Sequence, residues 1–213
     1  MSDDTDTSTL ILIRHGQSAW NAENRFTGWV DTPLSEAGID EAKRAAMRLA
    51  DGGIRIDQAF TSTLRRAIDT GRIVLDGLGQ GELEQVSAWQ LNERFYGALT
   101  GRNKQQTAEE FGADQVHIWR RSYDVPPPGG ESLKDTATRV LPYFDEVVRP
   151  AAQGGRVVLV SAHGNSLRAI VKELDELSDE EVTSLEIGTG IPLVYRLRDG
   201  RVVGKDILDQ PEP

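Results

Sequence analysis

The sequence predicts an α/β protein, a three-layer αβα sandwich whose central sheet is mostly parallel and carries an antiparallel edge strand. Three observations predict it. Short continuous apolar runs at 10–13 (LILI) and 156–162 (RVVLVSA) suit strands buried on both faces of a parallel sheet. Segments of helical periodicity follow the strands in alternation. Near the end of the chain, LVYRL and RVVGKDI flank Asp199-Gly200, a strong hairpin-turn signal.

Each element has its own signal. Residues 1–9 carry no hydrophobic periodicity and are expected to form a disordered tail. After the first strand, Ser35 is placed to cap a helix whose buried stripe is Ile39, Ala42, Ala46 and Leu49, and Gly52-Gly53 ends it. A second strand is expected at 58–62, a helix at 64–75, and a third strand, by alternation, at 85–91. One helix is expected around 107–121 and a Pro/Gly loop at 126–130. The capping box Ser132-Leu-Lys-Asp135 opens a helix toward Val148, with Pro142 placed to kink it. The strand at 156–162, a helix at 165–174 and the hairpin complete the chain. With no internal repeat and no convincing linker, a single catalytic domain is expected over 10–208, with 209–213 as a short tail.

Composition excludes several classes of function. The 213 residues include 24 Lys plus Arg against 34 Asp plus Glu, a net charge of −10. That balance argues against a nucleic-acid or anionic-membrane partner. Cysteine is absent, which removes disulfides, thiolate metal sites and cysteine nucleophiles. No apolar run approaches the roughly 20 residues that cross a bilayer, and the N-terminus is acidic where a signal peptide is basic. A cytoplasmic protein is the expectation.

Two histidines share one grammar. His15 follows LILIR and His163 follows VVLVSA; each precedes a glycine and then a helix. Ligands of open parallel sheets bind beyond the carboxyl ends of the strands, so both imidazoles belong on one sheet edge. A single histidine there would be unremarkable; two point to function. His117 lacks the pattern and reads as a helix-surface residue. No pair of ligands falls at a familiar metal spacing, and the neighbours are cations, so no metal is expected. Arg14, Arg66 and the pair Arg120-Arg121 instead suit an anion such as phosphate. A neutral imidazole can attack phosphorus near pH 7, and Glu93, in the loop past the third strand, is the candidate proton donor.

The motifs Leu12-Ile-Arg-His-Gly-Gln-Ser18, Trp20-Asn21 and Asn24-Arg-Phe-Thr-Gly-Trp29 resemble the cofactor-dependent phosphoglycerate mutases of the histidine phosphatase superfamily. The resemblance continues through 61–68, 91–104, 118–124, 130–135 and 161–168, covering nearly all of 10–195. It implies His15 as the phosphorylated nucleophile, His163 as transition-state stabiliser and Glu93 as acid/base, with Arg14 and Arg66 holding the phosphate. It also implies substrate contacts from Ser18, Asn21, Thr27, Gly28, Tyr96, Lys104, Arg120, Arg121, Gly164 and Asn165. The substrates would be 2- and 3-phosphoglycerate, the primer 2,3-bisphosphoglycerate, and the assembly a homodimer or homotetramer. The alternative is a metal-independent phosphatase of small phosphate esters, which has no need of Lys104, Arg120 and Arg121. Gln17 stands where many relatives carry Glu. The loop after Asp124 and the C-terminus are short, which is expected to admit water to phospho-His15.

Overall fold

Strand β1 (Ser8–Arg14) lies inside the sheet with a neighbour on each side, and its alternating side chains explain why the run is continuously apolar. Leu10 and Leu12 enter one buried cluster, Ile11 and Ile13 another on the opposite face. The computed structural model describes residues 7–209. The expected disorder of 1–6 and the residues 210–213 of the C-terminal tail lie outside them.

In chain order β1 is followed by α1 (Ala19–Ala22), α2 (Glu36–Asp51), β2 (Gln58–Thr61), α3 (Arg65–Gly77) and β3 (Gln85–Ser87). Next come α4 (Lys104–Phe111), α5 (Ala113–Arg121), α6 (Leu133–Tyr143) and α7 (Arg149–Ala151). The chain closes with β4 (Val157–Ala162), α8 (Gly164–Leu174), α9 (Asp179–Ser184), β5 (Pro192–Arg198) and β6 (Arg201–Ile207). The six strands are ordered β3-β2-β4-β1-β5-β6. Pairings among β1, β2, β3 and β4 are parallel, whereas β5 runs antiparallel to both β1 and β6. Helices α6 and α8 contribute Val140, Ala137, Leu167 and Ile170 to one face, and α2 and α3 contribute Ala45, Leu49, Val74 and Leu75 to the other. This is the expected three-layer sandwich. Asp199 and Gly200 take φ of 51° and 74°, as a two-residue hairpin turn requires.

Four local expectations are corrected. Ser8 and Thr9, expected to be disordered, belong to β1: they pair with Leu197 and Arg196 of β5, and the Ser8 hydroxyl accepts from the Gly155 N–H at 3.1 Å. The strand expected at 85–91 stops at Ser87, because β2 offers β3 only three paired residues. The Ala88 N–H closes the ladder on Thr61 O, and Trp89–Leu91 curl into a 3₁₀ turn that buries Leu91. The alternation misled because Val86 and Trp89 are both exposed. The helix around 107–121 is two helices, broken at Gly112, whose φ of 87° no helix accommodates. The helix toward Val148 widens into a π-turn at Phe144–Val148, just beyond Pro142. Helix α9 was not expected, although Ser178 and Glu181 form a capping box that signals it.

The loop leaving β1 is held by backbone-to-backbone packing. A Cβ on Gly38 would lie 2.1 Å from the Gln17 carbonyl oxygen, whereas one on Gly52 would meet nothing nearer than 3.5 Å. Gly38→Ala should therefore lower unfolding stability in urea by about 1–3 kcal/mol, the usual cost of overpacking. Gly52→Ala should stay within about 0.5 kcal/mol. Equal effects would contradict the close approach.

Candidate active site

Parallel pairing sets Arg14 of β1 beside Ala162 of β4, so His15 and His163 each fall one residue past the ends of adjacent strands. The His15 N–H donates to the Ala162 carbonyl at 2.9 Å, and the two rings stand edge to face with centroids 4.9 Å apart. His15 Nδ1 lies 2.6 Å from the Gly16 carbonyl oxygen. A carbonyl only accepts, so Nδ1 carries the proton and Nε2 keeps its lone pair. That lone pair accepts from Arg66 Nε at 3.2 Å. Burial, then the positive charges of Arg66 and Arg14, hold His15 well below the usual 6.5; the Gly16 bond opposes them without prevailing.

Arg66, in the first turn of α3, is 1% exposed yet bonds no carboxylate among the described residues. Its fork donates to the carbonyls of Val30 and Gly28, at 2.8 and 2.7 Å. Gly28 takes a φ of 54°, an ordinary conformation for glycine. Burial lowers the Arg66 guanidinium to about 10, so it stays charged at neutral pH. Arg14 donates from Nη1 to Ile187 O at 2.8 Å, while its Nε is buried without a partner.

His163 is fully buried. Its Nε2 lies 2.7 Å from Ser62 Oγ, and its Nδ1 is buried without a partner. Burial and the charge of Arg66 lower its pKa well below 6.5. Among the described residues Arg14 Nε and His163 Nδ1 have no hydrogen-bond partner, which leaves both open to a ligand in the cleft. Ser62 was not foreseen. Its signal was positional: it is the first residue past β2, at the same sheet edge as the two histidines.

Glu93 receives three hydrogen bonds on Oε1: from the Arg94 N–H at 2.8 Å, Asn165 Nδ2 at 2.8 Å and the Asn165 N–H at 3.2 Å. Among the described residues Oε2 accepts none. Desolvation pushes this carboxyl up, but those bonds together with Arg14 and Arg66 win, and its pKa is lowered. Asn165 sits in the first turn of α8, beside Gly164, and Nδ2 also reaches the Tyr96 hydroxyl at 3.4 Å. Burial raises Tyr96, and the guanidinium of Arg94 outweighs it, so the phenol is lowered.

The cleft around these groups is lined by Asn21, Thr27, Gly28, Tyr96, Lys104, Arg120, Arg121, Gly164 and Asn165. Lys104 opens α4 and Arg120 and Arg121 end α5; desolvation lowers the Lys104 ammonium. Ser18 is elsewhere. It is buried as the cap of α1, its Oγ accepting from the Asn21 N–H at 3.2 Å. Gln17 also faces away, accepting from Ser35 Oγ at 2.9 Å. The sequence reading missed Arg25, Arg94, Arg168 and Glu186, all of which line the cleft. Arg94 is 1% exposed and bonds the Arg120 carbonyl at 3.2 Å. In a chain of net charge −10, eight cationic side chains and two carboxylates line this cleft. It concentrates anions locally. Among the described residues no three His, Asp or Glu side chains are grouped as a metal site requires.

An imidazole whose Nε2 keeps its lone pair, set among cations at the carboxyl ends of two parallel strands, makes a site suited to an anion such as phosphate. The model of the histidine phosphatase superfamily (branch 1) matches residues 10–207, and the chain belongs to that family. Relatives named 2,3-bisphosphoglycerate-dependent phosphoglycerate mutase include one from Parvibaculum lavamentivorans, 54% identical over 95% of this chain and 97% of that protein. Another, from Methylorubrum extorquens, is 56% identical over 94% of this chain and 95% of its own length. Among solved structures, the phosphoglycerate mutase of Bacillus anthracis superposes with a TM-score of 0.80 at 26% identity, covering 97% of this chain and 95% of its own. A mycobacterial glucosyl-3-phosphoglycerate phosphatase reaches 0.78 at 28% identity, covering 94% and 97%.

The two buried imidazoles have a measurable signature. Below about pH 6.5 the unfolded chain binds more protons than the folded one, so stability is complete above that value and falls as pH drops through it. Thermal unfolding from about pH 7.5 to about 5.5 should show Tm decreasing. NMR titration should place the midpoints of His15 and His163 below 6.5 with His15 protonated on Nδ1. A midpoint at or above 6.5 would overturn the assignment.

Proposed function

We propose that this chain is a 2,3-bisphosphoglycerate-dependent phosphoglycerate mutase, which interconverts 2- and 3-phosphoglycerate through a phosphohistidine on His15. The observation that carries the chemistry is His15 Nε2, an unprotonated nitrogen whose tautomer is set by the Gly16 carbonyl. The substrate assignment draws on relatives of that name at 54% and 56% identity. One catalytic domain over 10–208 is part of the reading, because one sheet joins strands from both ends of the chain. A cytoplasmic homodimer or homotetramer is carried on the family resemblance; no described helix is long and apolar enough to cross a membrane.

The cleft suits a ligand with two anionic groups, since besides Arg14 and Arg66 at His15 its lining carries Lys104, Arg120 and Arg121. The primer leaves a phosphoryl group on His15 Nε2. The free hydroxyl of a monophosphoglycerate attacks that phosphorus, the N–P bond breaking as a P–O ester bond forms, and the resulting bisphosphate returns its other phosphoryl group to Nε2, that P–O bond breaking as the N–P bond re-forms. Arg14 and Arg66 meet the charge on the transferring group, with His163 beside them. Glu93 gives a proton to the leaving alkoxide and takes one from the incoming hydroxyl, with Oε2 as the unencumbered oxygen. Its lowered pKa in the open cleft rises when a phosphate dianion sits nearby, which brings the acid form within reach.

The phosphatase reading differs only in that water accepts the phosphoryl group. The fold does not separate the two, because a phosphatase shares it. The further cations Lys104, Arg120 and Arg121 in the cleft lining favour the mutase.

His15→Ala should fold normally and lose both turnover and acid-labile phosphate labelling; appreciable turnover would end the proposal. Glu93→Gln should lower kcat by about 10²–10⁴-fold with smaller change in KM. Arg121→Ala should raise KM for 3-phosphoglycerate more than it slows phosphoenzyme formation. The deciding assay follows 3-phosphoglycerate with and without trace primer. Primer-dependent 2-phosphoglycerate with little free phosphate supports the mutase, and mostly free phosphate supports the hydrolase.

A further inference from the structure

Glu186 is one of only two carboxylates lining a cleft of eight cations, and phosphoryl transfer as described does not use it. It precedes β5, in the segment that follows α9. One of its oxygens accepts from Arg121 Nη2, and the other lies 3.5 Å from Arg168 Nη2. The two cations depend on it unequally. Arg168 is also held by the Leu185 carbonyl at 2.8 Å and by Asn165 Oδ1 at 3.2 Å. Among the described residues Arg121 has one other partner, the Thr183 carbonyl at a long 3.4 Å. The Glu186 side chain is itself 64% exposed, so it can leave without unburying anything.

We infer that Glu186 is a specificity-determining residue, an internal carboxylate that occupies Arg121 until the second anionic group of a substrate displaces it. This rests on the mutase reading, in which Arg121 meets the end of the substrate remote from His15. A ligand with one anionic group reaches the His15 end without disturbing the Glu186–Arg121 pair. A ligand with two must exchange its own carboxylate or phosphate for that of Glu186. The exchange replaces one ion pair with another, so two-anion ligands are held less tightly than eight cations would otherwise hold them, and they leave more readily.

Calorimetric binding of 3-phosphoglycerate and inorganic phosphate to the wild type, Glu186→Gln and Glu186→Ala tests this. Either substitution should tighten 3-phosphoglycerate about three- to fivefold, the scale of an exposed ion pair, and change inorganic phosphate by less than about 1.5-fold. In an Arg121→Ala background the gain should vanish. Equal tightening of both ligands would show a general field effect and overturn the inference. So would no tightening, or a gain that survives Arg121→Ala. Failure of the wild type to form 2-phosphoglycerate would sink the mutase reading, whereas an unchanged selectivity in an active enzyme would sink this inference alone.

Discussion

The parallel pairing of β1 with β4 is the constraint on which the site depends. Its register ends with Arg14 opposite Ala162, so the next residue on each strand is a histidine, and the two rings come within contact distance. Fully buried aliphatic side chains on both faces of these strands keep that register from slipping, since a one-residue shift would invert every side chain. A buried core thus sets the separation of two catalytic candidates that are 148 positions apart in sequence.

The same edge solves an electrostatic problem. Bringing Arg14, Arg66 and Arg94 together is costly unless each is hydrogen-bonded. The protein holds the Arg66 fork on two backbone carbonyls and one Arg94 nitrogen on a third, and a carbonyl accepts without cancelling the positive charge. Carboxylate partners would have neutralised the cleft and competed with phosphate. Arg139 provides the contrast: it lies outside the cleft lining and is paired with Glu131. Glu93 stays a carboxylate despite its burial because the amides of Arg94 and Asn165 converge on one of its oxygens and Arg14 and Arg66 lie near, while among the described residues the other oxygen accepts no bond.

A mutase and a phosphatase share this fold, so the fold does not separate the two reactions. On the proposed mutase reading, the cleft must retain a phosphoglycerate long enough to return its phosphoryl group. Lys104, Arg120, Arg121, Arg168 and Glu186 all bear on that question, and three of the five were legible as charged residues in matching motifs.

The sequence by itself determined the layered architecture and the candidate site residues. Apolar runs ending in His-Gly identified two buried strands and their histidines, because a strand buried on both faces tolerates no polar interruption, whereas their adjacency came only with the sheet order. The motifs around Arg66, Glu93 and Asn165 pointed to their partners. Local structure where tertiary packing overrides periodicity was not legible: β3 is cut short by the length of β2, and Gly112 breaks a continuous helical pattern. Only the tertiary structure decided the His15 tautomer, the free oxygen of Glu93, the Ser62–His163 bond and the Glu186–Arg121 pair. Each depends on a hydrogen-bond distance between segments remote in sequence, or on the direction of a single carbonyl, and spacing along the chain encodes neither.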